Sequence, residues 1–197
     1  MSGYKKTIHL YDDKIGRVDY ISHMGSDLTV VNSARVSFGD KKDVLDKRDR
    51  KLIRYLIAHK HTSTLEHCVV TYKFTVPLYI RSQHHRHRTW SYNEISRRYT
   101  EKDLQFYCPR EFRTQHKSNR QASNPEALID PYLYKDPDGP LVPAFHPKAS
   151  EVYSQHCMRS LLMFEELVSK GVCREQARGV LPQTLYTEYY GTVNLNN

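Results

Sequence analysis

Apolar residues recur along this chain at two intervals, and the switches between them mark out its elements. Residues 4–11 and 16–22, YKKTIHLY and GRVDYIS, read as two short strands with Asp12, Asp13 and Lys14 as the turn between them. Ser26 is placed to cap a helix through Asn32 to Val36. The charged residues 39–51 read as a solvated loop entering the next helix. From Leu45 to His59 the apolar positions Leu45, Leu52, Ile53, Leu56 and Ile57 return at helical spacing with charge opposite, which predicts a core-facing helix. The period then drops to two. Val70, Tyr72, Phe74 and Val76 alternate with Thr71, Lys73 and Thr75 over Cys68–Val76, as in a half-buried strand, and Pro77 ends it.

A helix over residues 78–88 is expected next. After Tyr99 the periodicity fades: residues 101–148, rich in Pro, Asp, Asn and Gln, are expected to form a long irregular insertion, either a lid or interface arm or a disordered loop. Helix resumes over Ala149–Lys170 with the stripe Val152, Tyr153, Cys157, Leu161, Phe164, Leu167 and Val168, and Gly171 is placed to stop it. GVCREQARGVLP predicts a short helix ended by Pro182, with Arg174 and Arg178 one turn apart, and TLYTEYYGTVN a closing aromatic strand.

With 197 residues, 39% hydrophobic and 26% charged, a single domain spanning 1–197 with a sizeable core is the expectation. No apolar run approaches the roughly 20 residues of a membrane span, and MSGYKKTIHLYDD lacks the apolar core of a signal peptide, so a cytoplasmic protein is expected. The net charge of +8 favours anionic partners without choosing among nucleotides, folates and nucleic acids. Cys68, Cys108, Cys157 and Cys173 are far apart and are expected to be free, mostly buried thiols; only Cys173, beside Arg174, has a faintly activating setting. His59, His61, Glu66 and His67 match neither H-E-x-x-H nor a Cys/His finger, so no metal site is assigned. Neither G-x-G-x-x-G nor a Walker loop occurs, so phosphates must be held by side chains.

Those side chains are concentrated in RSQHHRHRTWSYNEISRRY, residues 81–99. Arg81, Arg86, Arg88, Arg97 and Arg98 are interleaved there with His84, His85, His87, Gln83, Ser91, Asn93 and Ser96 around one carboxylate, Glu94. Guanidinium forks match phosphate and stay charged, so Arg86/Arg88 and Arg97/Arg98 suit two phosphorylated ligands or one long pyrophosphate. If residues 78–88 are helical, Gln83, Arg86 and His87 share a face, and Ser91, Asn93 and Ser96 fall in an irregular connection. Glu94 reads as an internal counter-ion, or as an acceptor from a ribose hydroxyl or base N–H. A solvated basic face or a nucleic-acid contact is the plain alternative.

Arg86-His87-Arg88, seven residues, then Ser96, with Ser91, Asn93, Arg98 and Tyr99 in register, resembles the RHR-x7-S signature of flavin-dependent thymidylate synthases. NSARVSF (residues 32–38), LIRYLIAHKHTSTLEH (52–67), REQARGVLP (174–182) and LYTEYYGTVN (185–194) are similar to blocks of that family in the same order. The resemblance implies an α+β fold, an antiparallel sheet packed with helices. It implies FAD as cofactor and NADPH and methylenetetrahydrofolate as co-substrates in converting dUMP to dTMP. Gln83, Arg86, Glu94, Ser96, Arg97, Arg98 and Arg178 would then bind substrate, and Ser63, Arg86, His87, Arg88, Glu94 and Asn194 the flavin, with His61 as the catalytic histidine beside it. It further implies a homotetramer with shared active sites, without membrane or nucleic-acid partners.

In the family pattern a helix bearing an N-L-R arginine and an A-Q-x-E block would follow Asn197. The chain is therefore expected to be incomplete at its C terminus, with Asn196 or Asn197 as the N-cap of that helix. A basic nucleic-acid-binding module, or a flavin- or nucleotide-binding fragment without turnover, stands as the alternative function.

Overall fold

The computed structural model describes residues 6–96, 98–99, 104–133 and 147–197. In chain order the strands are β1 (Thr7–His9), β2 (Arg17–Met24), β3 (Val69–Pro77), β4 (Ser91–Glu94), β5 (Phe112–Gln115), β6 (Ser123–Ile129) and β7 (Tyr186–Asn194). The helices are α1 (Asp27–Arg35), α2 (Lys47–Ala58), α3 (Leu78–His84), α4 (Ala149–Ser169) and α5 (Arg174–Ala177). The fold is α+β, and the chain resolves into two compact units, residues 1–95 with 187–197, and residues 96–186.

The first unit is built on a sheet of order β1-β2-β3-β7-β4, in which β1/β2, β2/β3 and β4/β7 pair antiparallel. The β1–β2 connection turns where expected: Lys14 takes φ 59, and the Asp13 carboxylate accepts the Ile15 N–H at 2.9 Å. At the end of β2, Gly25 has φ +88, and a β-carbon there would lie 2.7 Å from Cys68 Sγ, so glycine serves both the left-handed backbone and the packing of that thiol. Val30, Leu56 and Cys68 form a buried cluster with Ala34, Leu52, Ile53 and Leu65 against it. Burying side chains such as Val30 and Leu56 contributes about 1.5–3 kcal/mol each. The apolar stripe of α2 is narrower than its sequence implies, for Ile57 is 56% exposed and Leu45 precedes the helix.

The charged stretch ahead of α2 is mostly exposed loop, as expected, but it closes over one buried carboxylate. Asp49, one turn into the helix, is fully buried. Its carboxylate accepts from Arg35 at 2.8 Å, from Lys42 Nζ at 3.0 Å and from the Asp46 N–H at 2.9 Å. Asp46 caps the helix by accepting the N–H groups of Arg48 and Asp49, and the Asn32 side chain bonds the Lys42 backbone in both directions at 2.8 and 2.9 Å. Arg35, half-buried, is thus one of two cations on a buried carboxylate. The Asp46 N–H first, then Arg35 and Lys42, hold the Asp49 carboxyl well below the usual carboxylate range.

In the second unit α4 buries the expected stripe, with Cys157 and Phe164 in the core, and Gly171 at φ 87 stops it. Residues 101–148 are less irregular than their composition implies. β5 and β6 form an antiparallel hairpin, Phe112 opposite Ile129, and the Phe112 ring meets Tyr153 of α4 at 5.7 Å. Asp130 accepts the Ser150 N–H at 2.9 Å and the Ser150 hydroxyl at 2.8 Å, tying the hairpin to the start of α4. The pairing is carried by backbone bonds and by Gln115, whose side chain donates to the carbonyls of Asn119, Arg120 and Ala122, so no apolar alternation announces it. Residues 101–103 and 134–146 of the expected insertion lie outside the described residues. No described helix is long and apolar enough to cross a membrane.

A carboxylate with a depressed folded pKa adds stability that is present above its unfolded value, about 3.9, and lost as pH falls through the folded one. Asp49→Asn is therefore expected to lower Tm clearly at pH 7. The gap to the parent chain should narrow as thermal melts are repeated toward about pH 3, and a gap independent of pH would contradict the ion-pair account.

Candidate active site

The basic stretch is carried by the first unit. Pro77, the last residue of β3, has φ −61 and ψ 150 and caps α3 directly, so strand passes into helix with no loop residue between. α3 stops at His84, four residues short of the expected end. Beyond it the chain tightens: the Arg86 N–H bonds the Gln83 carbonyl at 3.1 Å and the His87 N–H that of His84 at 3.0 Å. Gln83, Arg86 and His87 consequently do not share a regular helical face. The Tyr92 hydroxyl lies at this turn, 2.9 Å from the His84 carbonyl and 3.2 Å from that of His87, and shares its one proton between them.

The segment expected as an irregular connection is strand. Ser91, Tyr92, Asn93 and Glu94 pair with Thr192, Gly191, Tyr190 and Tyr189 of β7. Ser91 and Asn93 face out while Tyr92 and Glu94 are half-buried, a period of two hidden because the inward residues are polar or amphipathic.

His84 and His85, counted from sequence among the donors, are packing residues. His84 Nδ1 is 2.8 Å from the hydroxyl of Tyr189, whose ring stacks on Phe74 at 5.0 Å. His85 stacks on Tyr92 at 4.1 Å, and His84 meets Trp90 edge-on at 4.7 Å. Gly191 makes room for this cluster, since a β-carbon there would sit 3.0 Å from the Phe74 ring and 3.1 Å from that of Trp90. Burial, then the neighbouring His85 and His87, lowers the pKa of His84; burial, then Arg81, lowers that of His85. Burial pushes the Tyr92 and Tyr189 hydroxyls up. His84 and His85 are thereby set apart from the exposed arginines of the turn.

Those arginines divide. Glu94 accepts from Arg81 Nε at 2.8 Å and from its terminal nitrogen at 2.6 Å, and the Thr187 hydroxyl donates to the second carboxylate oxygen at 2.6 Å. Glu94 is thus the counter-ion of Arg81. Gln83, Arg86, His87 and Arg88 are exposed, and among the described residues no carboxylate pairs with Arg86 or Arg88.

His61 and Ser63 are exposed at the short 3-10 turn Thr62–Leu65, with the His61 ring stacked on Tyr55 at 6.2 Å. Asn194 ends β7 half-buried, and its side-chain oxygen accepts the N–H groups of Asn196 and Asn197, both at 3.1 Å. In the second unit, Ser96 Oγ accepts the Arg98 N–H at 3.4 Å, Arg98 lies over the Tyr99 ring, and Arg178 is exposed in the turn Arg178–Val180 after α5. Arg97 lies outside the described residues. No described group of three His, Cys, Asp or Glu side chains is close enough to hold a metal ion. Of the four thiols, Cys68 and Cys157 are buried, Cys108 is intermediate and Cys173 exposed. The site's supporting aromatics, Tyr92 and Tyr189, were not singled out from sequence; the aromatic interleaving of HHRHRTWSY with TEYYG is the signal that points to them.

A family model described as thymidylate synthase complementing protein matches residues 19–197. The chain belongs to this family, the flavin-dependent thymidylate synthases. It is 38% identical over 182 residues to the flavin-dependent thymidylate synthase of Thermus thermophilus, covering 92% of this chain and 61% of that protein. With the Thermotoga neapolitana enzyme the identity is 37% over 180 residues, covering 91% and 71%. The chain thus spans less than two thirds of the Thermus relative's length. The crystal structure of the UMP/dUMP methylase PolB from Streptomyces cacaoi, bound with 5-Br dUMP, superposes with a TM-score of 0.70 at 28% identity, covering 90% of this chain and 72% of that one. The family's RHR signature coincides here with the turn that Tyr92 closes.

A histidine whose folded pKa is depressed adds stability that is present above its unfolded value, about 6.5, and lost as pH falls below it. Tm should fall as pH is lowered from about 7.5 to about 5.5, and less steeply in His84→Phe, which keeps a ring but cannot charge. Parallel slopes in the two chains would mean that His84 is not held neutral by its packing.

Proposed function

We propose that this chain takes part in the methylation of dUMP to dTMP, with FAD as cofactor, carbon from methylenetetrahydrofolate and reducing equivalents from NADPH. The observation that carries this reading is the division of charge in the basic stretch. Arg81 is neutralised by Glu94, whereas Arg86 and Arg88 stand exposed on a fixed turn with no carboxylate among the described residues against them. Two planar forks side by side suit a pyrophosphate, so the donor set fits FAD. Arg86, His87 and Arg88, joined by Ser63 and Asn194, are assigned to hold it, with His61 as the catalytic histidine beside it.

The flavin, when bound, supplies the redox chemistry, and the protein's share is binding, orientation and charge stabilisation. Gln83, Arg86, Ser96, Arg97, Arg98 and Arg178 are assigned to dUMP, and the likeness to PolB supports a pyrimidine mononucleotide there. Glu94 was expected in both ligand sets; with its carboxylate occupied by Arg81 and Thr187, we assign it to holding Arg81 in place. A homotetramer in the cytoplasm, with active sites shared between subunits, is part of the same proposal.

The purified chain should acquire a flavin absorption spectrum on soaking with FAD and oxidise NADPH faster when dUMP and methylenetetrahydrofolate are supplied. Arg88→Ala should weaken FAD binding about tenfold or more, as expected for lost hydrogen bonds to a charged group, while Arg178→Ala should mainly weaken dUMP binding. Two variants that leave both ligands untouched would sink the assignment. Flavin binding without NADPH turnover would limit the proposal to a ligand-binding role.

A further inference from the structure

We propose that Tyr92 is a positioning residue: by joining the carbonyls of His84 and His87, its hydroxyl sets the direction in which Arg86, His87 and Arg88 leave the chain. The inference rests on reading that turn as the flavin site. Tyr92 touches no ligand in this scheme and acts only through the backbone on either side of Arg86.

The hydroxyl is suited to this because the rest of the side chain has little freedom. The Tyr92 backbone sits in β4 opposite Gly191, and its ring is stacked on His85 at 4.1 Å. The same ring lies 7° from parallel to Trp90 and meets Tyr189 edge-on at 5.9 Å. The oxygen is therefore a fixed post, and the carbonyls of residues 84 and 87 are drawn to it at 2.9 and 3.2 Å. These two carbonyls flank the stretch in which the helix gives way to a tighter turn; each also accepts a backbone N–H, from His87 at 3.0 Å and from Trp90 at 3.4 Å, so the hydroxyl adds a side-chain tie to bonds the turn already makes. Water can replace the hydroxyl as a donor, since the contact to His87 is exposed. Loss of the hydroxyl should cost the turn its definition rather than its stability, and the reading would appear in ligand affinity.

The test uses the full chain and Tyr92→Phe, which keeps the ring and deletes the O–H. FAD titration should show a Kd raised about five- to tenfold, the loss of roughly one net hydrogen bond, with an unchanged far-UV spectrum and a cooperative melt. In an Arg88→Ala background the same substitution should have little further effect, because the arginine whose placement it governs is gone. An equal factor in both backgrounds would indicate a merely structural role and overturn the proposal, as would a Tyr92→Phe chain that does not fold. A second readout needs no flavin. Trp90, the chain's single tryptophan, lies inside the turn, so acrylamide should quench its fluorescence more readily in Tyr92→Phe than in the parent. Unchanged quenching overturns the proposal. Should the parent bind no FAD, the functional reading fails while the quenching comparison still decides what Tyr92 does.

Discussion

The hydrogen bond between the Tyr189 hydroxyl and His84 is the constraint on which the rest of the first unit turns. Tyr189 is 1% exposed in the middle of β7, stacked on Phe74 of β3, so it binds the two neighbouring strands of the sheet to the last residue of α3. A buried hydroxyl must find a partner, and an imidazole held neutral by its surroundings provides one. The His84 ring is thus held by Tyr189 and its carbonyl by Tyr92, so the residue at which α3 gives way to the turn is fixed by both side chain and backbone. The exposed arginines follow on from that fixed residue.

Charge in this chain is sorted by burial. Asp49 and Glu94 each draw cations inward, Arg35 with Lys42 in one case and Arg81 in the other, and each also accepts from a neutral group, the Asp46 N–H or the Thr187 hydroxyl. What the interior uses is thereby removed from the surface ligand set. Among the described arginines between residues 81 and 98, Arg81 belongs to the scaffold, and the net charge of +8 does not distinguish it from the others.

The elements that were legible in the sequence are those whose burial follows from apolar spacing: α4 with Cys157 and Phe164, and α2 up to Leu56. The extent of β3 was legible too, but not its expected alternation: the strand is half-buried through Phe74, and then Thr75, Val76 and Pro77 are all buried, because β2 and β7 cover it on both edges. Where polar groups do the organising, the pattern misleads. SYNE looks like a connection yet is β4, because Glu94 faces inward to meet Arg81. The charged approach to α2 looks solvated yet encloses Asp49, since nothing in a list of charges says which carboxylate will be surrounded by donors. His84 and His85 look like ligands, but their rings behave as aromatic packing once β7 supplies Tyr189. The exposed arginines of the RHR motif were legible because their chemistry does not depend on burial.

The direct passage of β3 into α3 at Pro77 gives the site an unforgiving dependence on chain length. A residue inserted or deleted within β3 would reverse which side chains face the core beyond that point and present α3 from the opposite face of the sheet. Between α1 and α2, residues 39–41 are exposed and precede the clamp at Lys42, so length changes there have slack to dissipate into. Tolerance of length variation should therefore be sharply uneven along this polypeptide, least in residues 69–84 and greater in residues 39–41.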